Sequence, residues 1–456
     1  MDKTYRAYQP RQSFVLPPSP QDWLPEGHLC YFLMDVVEQL DLGAIHAYYQ
    51  REARGYPPHH PQMMVALLLY AYCVGVPSSR KIENRTHEDI AFRIITGNTH
   101  PDPSCISEFR RIHLEALSGL FVQVLRLCQE GGLVKLGHVA IDGTKVKANA
   151  SKHKAMSYDR MKSKEEELCH KVQQLMEAAE QADQAEDQQY GKGRRGNQLP
   201  KDLERAESRR ARIRQLREKL EAQAQAQKQA REQADQAAQA QPPDPEPVPA
   251  AVPEHQVPAD KTGTPQDQAQ RNFTDGDSRI MKMGDGFVQA YNCQIAVDEQ
   301  GQVIVAHLVT NQPPDAEHFV PMVEQVVDTC GRAPDRTSAD AGYFSESNVV
   351  GAYERGTEPY LATGRRRHEE PEVQVRGRPK KGMTLKEAMA RKLATRRGRE
   401  VYSRRKVVVE PPFGQIKNRG FRQFLLRGLA QVRGEWALIT TTHNVLKLYG
   451  AVMAGA

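Results

Sequence analysis

An abrupt change of composition in the middle of the chain is the strongest constraint on its fold. Residues 160–240 are rich in Glu, Gln, Ala, Lys and Arg, and eight prolines follow between Pro242 and Pro265. Segments of ordinary apolar content lie on both sides of this stretch. A polar, proline-rich stretch buries too little apolar surface to form a core of its own. The sequence therefore predicts a compact domain that is interrupted by a long insertion.

Two long helices are expected inside the insertion, at 151–240. Apolar residues alternate at spacings of four and three in 168–182 and recur in 206–220, which is typical of a coiled-coil seam. The glycines and proline of 191–200 indicate a turn, so we predict an antiparallel coiled-coil hairpin, followed by an extended linker at 241–271. The hairpin is interpreted as an oligomerisation or spacer element. DNA contact is the alternative, through Arg194, Arg195, Arg209, Arg210 and Arg212.

An all-α N-terminal domain is predicted for residues 1–135. Pro61 opens a run to Val74 that is hydrophobic nearly all round, as in a buried helix with proline at its first position. Ser104 is interpreted as the N-cap of a later helix that carries the arginine pair at 110–111. Short helices with exposed basic side chains fit a helix-turn-helix-like DNA module. A helical scaffold without groove contacts is an equally open alternative.

The order of the remaining elements predicts an α/β catalytic core. A strand around Ile141 precedes the insertion, a strand hairpin starts near Phe287, and a helix, a strand ending at Asp340, a helix and a last strand follow. Three meandering strands with a helical crossover to a fourth, parallel to the first, are the order of an RNase H-like fold. We therefore predict such a core at 136–150 and 272–456.

Carboxylates on the first and fourth strands are the candidate chemistry. The topology makes these strands neighbours, so Asp142 and Asp340 are expected to face one another. Glu410 is the candidate for a third carboxylate, at the start of a later helix where Pro411 disfavours helical geometry before it. Hard oxygen ligands of this kind bind Mg²⁺, and a pair of ions activates the attacking oxygen and stabilises the leaving one. An isolated aspartate at a strand end is more often a turn or cap residue, and Asp298 and Asp315 are interpreted in that way. Asp275, Asp277 and Asp285 are interpreted mainly as turn formers, with contact to metal or DNA as the less favoured alternative.

A strongly basic segment lies just before the third carboxylate. Residues 365–406 contain sixteen Lys and Arg against five Glu, although the whole chain has a formal charge of only +6. Charge runs are commonly solvated, but at this position we expect contact with phosphates and salt-sensitive affinity.

Several motifs together resemble a known family. They are NTHPDPSCISEFRR, IDGTKVKANAS, FTDGDSRIMKMGDGFVQAYNCQIAVD, SADAGY and VVVEPPFGQIKNRG. The chain resembles the DDE transposases of bacterial insertion sequences, in the group with a Tyr-Arg-Glu-Lys signature around the catalytic glutamate. The resemblance implies that Asp142, Asp340 and Glu410 are catalytic and bind two Mg²⁺ ions, with Mn²⁺ as a substitute.

The resemblance also implies DNA contacts at the signature residues. Tyr402 and Lys417 match its Tyr and Lys. Lys406 stands where the family has Arg, and the nearest arginines are Arg405 and Arg404, so which of these residues contacts the strand is left open. Glu410 and Lys417 are seven residues apart, which places them on one helix face.

The function implied is binding of double-stranded DNA at the terminal inverted repeats, followed by strand cleavage and strand transfer to target DNA. Because both ends are held together, at least a homodimer is expected in the active complex. Two alternatives stay open: a non-catalytic DNA-binding relative, and an RNase H-like nuclease that does not join strands.

The expected location is the bacterial cytoplasm, at the nucleoid when DNA is bound. The longest apolar run, at 63–74, is too short to cross a bilayer, and no apolar leader follows Met1. Seven scattered cysteines without a Cys-x-x-Cys pair argue against a disulfide framework and against a structural zinc site.

Overall fold

The computed structural model describes residues 19–51, 57–190, 201–240, 255–284, 286–364, 375 and 382–455. The chain divides into two units, which are residues 1–124 with 441–456, and residues 125–440.

Helices form the first unit. They are α1 (Leu29–Glu38), α2 (Gly43–Tyr49), α3 (Pro61–Cys73), α4 (Ser79–Glu88), α5 (Ile90–Ile95), α6 (Pro103–Ile112), the start of α7 (Leu114–Glu130) and the end of α14 (Leu429–Gly455). Nearly every side chain of α3 is buried, so the buried helix predicted after the N1 proline is confirmed. Gly75, just beyond it, has a left-handed backbone (φ 75°), which only glycine adopts without strain.

The N-cap predicted at Ser104 was wrong. Helix α6 begins at Pro103, and Asp102 caps it by accepting hydrogen bonds from the backbone N–H groups of Ser104 and Cys105, both at 2.9 Å. Proline at the first helical position has no N–H to satisfy, and aspartate is among the strongest N-cap residues. This pair therefore sets the helix start one residue earlier than the serine.

One of the two basic side chains of α6 that were predicted to be exposed is buried. Arg110 is 5% exposed and donates hydrogen bonds to the Tyr72 hydroxyl (3.1 Å), the Pro77 carbonyl (2.8 Å) and the Ser79 hydroxyl (3.1 Å). Arg111 is exposed but pairs with Glu108 one turn earlier. Arg110 therefore holds α3, α6 and the start of α4 together.

The second unit is built on a mixed sheet. Its described strands are β1 (Val139–Lys147), β4 (Arg279–Met283), β5 (Gly286–Asp298), β6 (Ile304–Thr310), β7 (Arg336–Ala339) and β8 (Glu358–Leu361), with β2 (Ala155–Ser157) and β3 (Gln270–Asn272) as a separate ribbon. The order is β4-β5-β1-β7-β8, and β6 pairs with β5. Strands β1, β5 and β6 are antiparallel neighbours, whereas β7 runs parallel to β1. The RNase H-like order predicted from the sequence is confirmed; the short strands β2, β3 and β4 were not predicted.

Six further described α-helices complete this unit together with parts of α7 and α14. They are α8 (Tyr158–Tyr190), α9 (Lys201–Ala240), α10 (Phe319–Cys330), α11 (Glu346–Glu354), α12 (Leu385–Ala394) and α13 (Arg396–Asn418). No described helix is long and apolar enough to span a bilayer.

The inserted helices α8 and α9 pack along each other as an antiparallel pair. The Tyr158 hydroxyl donates to Glu221 (2.8 Å), and Arg217, one turn before Glu221 on α9, lies 3.4 Å from Glu165 of α8. The predicted seam supplies most of the buried contact: Leu168, Val172, Ala206, Ile213, Leu216 and Leu220. The turn at 191–200 lies outside the described residues.

The second half of the predicted linker differs from the expectation of an extended segment. Val257 and Ala269 are buried against Tyr158, Leu220 and Ala224 of the hairpin. Strand β3 also pairs with β2. Two apolar residues in a polar, proline-rich stretch are too weak a signal to reveal this packing, which depends on the hairpin surface. Residues 241–254 lie outside the described residues.

Candidate active site

Asp142 and Asp340 are brought together by the pairing of β1 with β7. Val139 and Ala140 pair in parallel with Thr337 and Ser338, and continuing that register by two residues sets Asp142 beside Asp340. Adjacent strands are about 4.8 Å apart. Burial raises the pKa of the Asp142 carboxyl above its ordinary value, and the negative charge of Asp340 raises it further. The two predicted carboxylates therefore share one electrostatic environment.

Arg405 of α13 supplies a positive charge next to the two aspartates. One of its guanidinium nitrogens, Nη1, lies 3.0 Å from Asp142 Oδ2, and the two side chains are 8% and 21% exposed. The positive charge lowers the pKa of Asp142 and so opposes the effect of burial. Burial disfavours the charged guanidinium, but Asp142, Tyr402 and Asp340 outweigh it and raise the pKa of Arg405. A partly buried carboxylate is thus held by a buried arginine.

The other signature residues lie along the same helix. Tyr402 is half buried, and the Arg405 guanidinium lies 5.8 Å from the centre of its ring. Lys417 Nζ donates a hydrogen bond to Thr144 Oγ1 at 2.8 Å, two residues after Asp142 on β1. Lys406 is exposed. Because Asp142 and Thr144 share one face of β1, helix α13 presents Arg405 and Lys417 to that same face.

Glu410 lies inside α13 and not at a helix start, so that part of the prediction was wrong. The helix begins at Arg396 and continues through Pro411 and Pro412. A proline removes the hydrogen bond to the carbonyl four residues earlier, which for Pro411 is that of Val407. Gln302 Nε2 donates to this carbonyl at 2.9 Å. A tertiary contact thus satisfies the group that the proline leaves unpaired, and the helix passes Glu410 unbroken.

Glu410 is exposed, and the structure does not gather it with the two aspartates. Within the described part of the chain, no three His, Cys, Asp or Glu side chains stand close enough to bind one metal ion. Asp142 and Asp340 nevertheless suit a divalent ion in their chemistry. Their carboxylate oxygens are the ligands that hard divalent ions prefer. The negative charge of Asp340 raises the pKa of Asp142, so a cation between the two aspartates would relieve their repulsion. The Arg405 guanidinium already provides one positive charge beside Asp142.

A polar network on the opposite face of β1 and β5 supports the loop that carries Asp340. Asp315 accepts hydrogen bonds from Lys145 Nζ (3.0 Å) and from Gln294 Nε2 (2.9 Å). The Tyr343 hydroxyl donates to Gln294 Oε1, and Tyr343 is three residues after Asp340. Only a turn or capping role was predicted for Asp315, so this network was not predicted. The available signal was a glutamine in the middle of the apolar strand β5.

Gly143, the residue after Asp142, is required by this network. Gly143 faces Gln294 across the β1–β5 pair, and a Cβ atom at position 143 would overlap the Gln294 amide. We expect Gly143→Ala to lower the free energy of unfolding by about 2 kcal/mol, the usual cost of overpacking, and to slow any reaction at Asp142. Thermal unfolding measures the first effect. Gly137→Ala is the control, because a Cβ there meets no atom within 4 Å; equal stability of the two variants would contradict the expectation.

A serine, a histidine and a glutamate also form a hydrogen-bonded chain, but it is structural. His138 Nε2 lies 2.8 Å from Ser338 Oγ, and His138 Nδ1 lies 2.9 Å from Glu299 Oε2. Ser338 is fully buried, so no substrate reaches its hydroxyl. Burial lowers the pKa of His138, while Glu299 opposes that shift. Glu299 also lies 2.5 Å from Arg404, so the chain links the sheet to α13.

The aspartates interpreted as turn formers hold the start of α14. Asp275 is buried and accepts hydrogen bonds from the Tyr291 hydroxyl (2.8 Å) and the Gly428 N–H (3.2 Å). Asp277 accepts from the Leu429 N–H (3.0 Å), the first residue of α14. The contacts of Gly428 and Leu429 join residues about 150 positions apart, which no local turn pattern reveals. Asp285 lies outside the described residues.

Family models match two regions of the chain. Residues 18–111 match the family described as Transposase domain (DUF772), and residues 253–445 match the Transposase DDE domain. The chain belongs to the DDE transposases. The second match includes Asp340, Arg405 and Glu410, and β1 with Asp142 joins it across the insertion. No curated protein and no solved structure matches the chain.

The transposase is an α/β protein with an RNase H-like core and a helical N-terminal region. Of its basic segment, the structure describes residues 382–406, which contain α12 and the first part of α13. The arginines and lysines at 365–367, 376, 378 and 380–381 lie outside the described residues. The expectation of phosphate contact stays a prediction for the whole segment.

Proposed function

We propose that this transposase binds the terminal inverted repeats of its insertion sequence and catalyses metal-dependent DNA strand cleavage and strand transfer. The observation that carries the proposal is the pairing of β1 with β7, whose register sets Asp142, within β1, beside Asp340, just after β7, while Arg405 of α13 binds Asp142. Domain matches to transposase families support the same reaction class. We infer that it acts as a homodimer on the DNA of the bacterial nucleoid, because two element ends must be held together.

Asp142, Asp340 and Glu410 are the proposed ligands of two Mg²⁺ ions. Bound Mg²⁺ would lower the cost of forming a nucleophilic oxygen and stabilise the oxygen that leaves. Glu410 lies between Arg405 and Lys417 along α13, seven residues before Lys417 and on the same helix face. Lys417 reaches Thr144, two residues after Asp142, so the Lys417 end of that face meets β1. Glu410 is proposed as the third ligand from its place on this helix, although its side chain is exposed and stands apart from the two aspartates.

The chain's own residues have separable tasks in this scheme. Lys417 presents an ammonium beside β1, where it would hold a phosphate of the strand being cut. Tyr402 and Arg405 border Asp142 and Asp340 and would position the same strand. Lys406, which is exposed one position further on, is the second candidate for a backbone contact. The back-face network of Asp315, Gln294 and Tyr343 keeps the Asp340 loop in place.

The deciding experiment is cleavage and joining of a labelled duplex that carries the element's own ends, in Mg²⁺ and in EDTA. Nicking at the 3′ ends of the element and strand transfer in Mg²⁺ alone are the expected results. Cutting without joining would favour the nuclease, and specific binding without cutting in any divalent metal would favour the non-catalytic relative. If the protein neither binds nor cuts the element ends, the proposal is wrong.

Divalent metal should stabilise the folded protein through the same carboxylates. Adding Mg²⁺ or Mn²⁺ at about 100 times its dissociation constant is expected to add about 2.7 kcal/mol, seen as a higher melting temperature. Asp142→Asn should remove most of that increment. Glu400→Gln, an exposed carboxylate change on the same helix as Glu410, should keep it. An identical metal response in both variants would exclude Asp142 as a ligand.

A further inference from the structure

A basic cavity lies at the base of the inserted hairpin, separate from the carboxylate pair. It has a volume of about 800 Å³ and is bordered by α8, α9 and the β2–β3 ribbon. One carboxylate, that of Glu204, is part of its lining. The basic side chains of the lining are Lys154, Arg160, Arg205, Arg209, Arg212 and His153. The cavity therefore carries a clear excess of positive charge.

The partners of these cations neutralise them only weakly. Arg205 lies 3.7 Å from Asp202, but both side chains are almost 80% exposed, so water screens the pair. Arg212 donates a hydrogen bond to the neutral Gln215 amide at 2.7 Å. Arg209 is exposed. The pKa of Glu167 on α8 is lowered mainly by a hydrogen bond from Lys164, and the charge of Arg209 makes a smaller, long-range contribution. Most of the positive charge thus stays available to an anion.

The floor of the cavity is apolar and firmly held. Phe273 and Met156 are half buried and pack against the core of the hairpin. The Phe273 N–H donates to the Lys154 carbonyl at 2.8 Å, and Asn272 Nδ2 donates to the Ser151 carbonyl at 2.8 Å. An aromatic ring on a rigid ribbon, surrounded by guanidinium groups, is the arrangement that binds nucleotides along a strand. Guanidinium groups match phosphate geometry better than ammonium groups do.

We propose that this cavity is a DNA-strand site, in which Arg205, Arg209 and Arg212 take backbone phosphates and Phe273 contacts a base or sugar. The inference rests on the proposed function, since it assumes that the transposase acts on DNA. A volume near 800 Å³ admits a few nucleotides of one strand but not a whole duplex. Lys154 follows Asp142 by twelve residues, so the two places are at most about 40 Å apart along the extended chain.

The test compares two double variants of the full chain that each lose two positive charges from α9. Arg209→Gln with Arg212→Gln alters the cavity. Arg214→Gln with Lys219→Gln is the control, because neither residue lines the cavity, both are exposed on α9, and neither is a candidate DNA contact. Binding of a labelled element-end duplex with one frayed end is measured in EDTA, at salt concentrations between about 50 and 200 mM.

The cavity variant is expected to bind about tenfold more weakly. The slope of log affinity against log salt should fall by about 1.4–1.8, since each phosphate contributes roughly 0.7–0.9. Phe273→Leu, which keeps an apolar floor, should weaken binding of the frayed duplex more than that of a fully paired one. Equal losses in the cavity and control variants, or no loss in either, would overturn the inference.

Two further measurements distinguish the strand site from a free-anion site and from a failure of the proposed function. In the first, binding of inorganic phosphate is compared between the wild type and the cavity variant. If only the wild type binds phosphate and both proteins bind DNA equally well, the cavity is a free-anion site and the strand site is overturned. Cleavage in Mg²⁺ is followed in parallel with wild type. If the wild type cleaves DNA and the cavity variant binds DNA as the wild type does, this inference alone is wrong. If the wild type neither binds nor cleaves DNA, the proposed function is wrong.

Discussion

Asp142→Asn, Asp340→Asn and Glu410→Gln are each expected to slow strand cleavage by about 10³-fold or more, while binding of the element ends changes little. Metal ligation of the reacting oxygens is worth several kcal/mol, and each factor of ten in rate corresponds to about 1.36 kcal/mol. None of the three changes removes a positive charge, so phosphate contacts are kept. Single-turnover nicking in Mg²⁺ gives the rate, and fluorescence anisotropy in EDTA gives the affinity.

Glu410→Gln is the most informative of these variants, because its side chain is exposed and stands apart from the two aspartates. Glu400→Gln is its matched control, as it makes the same change on the same helix. Wild-type cleavage by Glu410→Gln, with both aspartate variants inactive, would mean that the third carboxylate lies elsewhere. Equal loss in Glu400→Gln would point to a general effect of charge on α13.

Arg405→Gln is expected to destabilise the folded protein by about 3 kcal/mol. The change leaves the Asp142 carboxylate, which is only 21% exposed, without its cation. Breaking one side of a buried ion pair costs about 3–5 kcal/mol, and the lower end applies to this partly buried partner. At about 2–4 °C per kcal/mol, the melting temperature should fall by roughly 6 °C or more. Calorimetric or fluorescence-detected unfolding without divalent metal measures the effect directly.

The adjacent residue provides the comparison. Arg404 is 63% exposed and pairs with the partly exposed Glu299, so Arg404→Gln should cost at most about 1 kcal/mol. The two substitutions are chemically identical and lie one position apart on α13. If they shift the melting temperature equally, the Arg405–Asp142 pair does not hold the helix to the sheet.

Much of the core was predictable because periodicity and order along the chain determine topology. The apolar strand before the insertion and the crossover helix α10 predicted a strand order in which β1 and β7 are neighbours. The seam of the hairpin was likewise visible, since Leu168 and Ile213 belong to regular spacings. Local propensity is reliable in such elements because burial and periodicity agree.

Other features depended on contacts between distant residues. Helix α13 continues past Pro411 because Gln302, more than a hundred positions away, binds the carbonyl that the proline leaves unsatisfied. Arg110 is buried because it donates hydrogen bonds to Tyr72 and Pro77, so its side chain is not available to contact DNA. In both cases a tertiary partner overrides the local preference, which no reading of neighbouring residues reveals.

The sequence by itself determined the class of fold, the insertion and the candidate set of Asp142, Asp340 and Glu410. These follow from periodicity, element order and family motifs, all of which are properties of the chain as written. Only the tertiary structure decided that Arg405 pairs with Asp142 and that Glu410 lies within an unbroken helix. It also assembled the basic cavity from segments that are far apart in the sequence. Such arrangements depend on which surfaces meet, and that information exists only once the chain has folded.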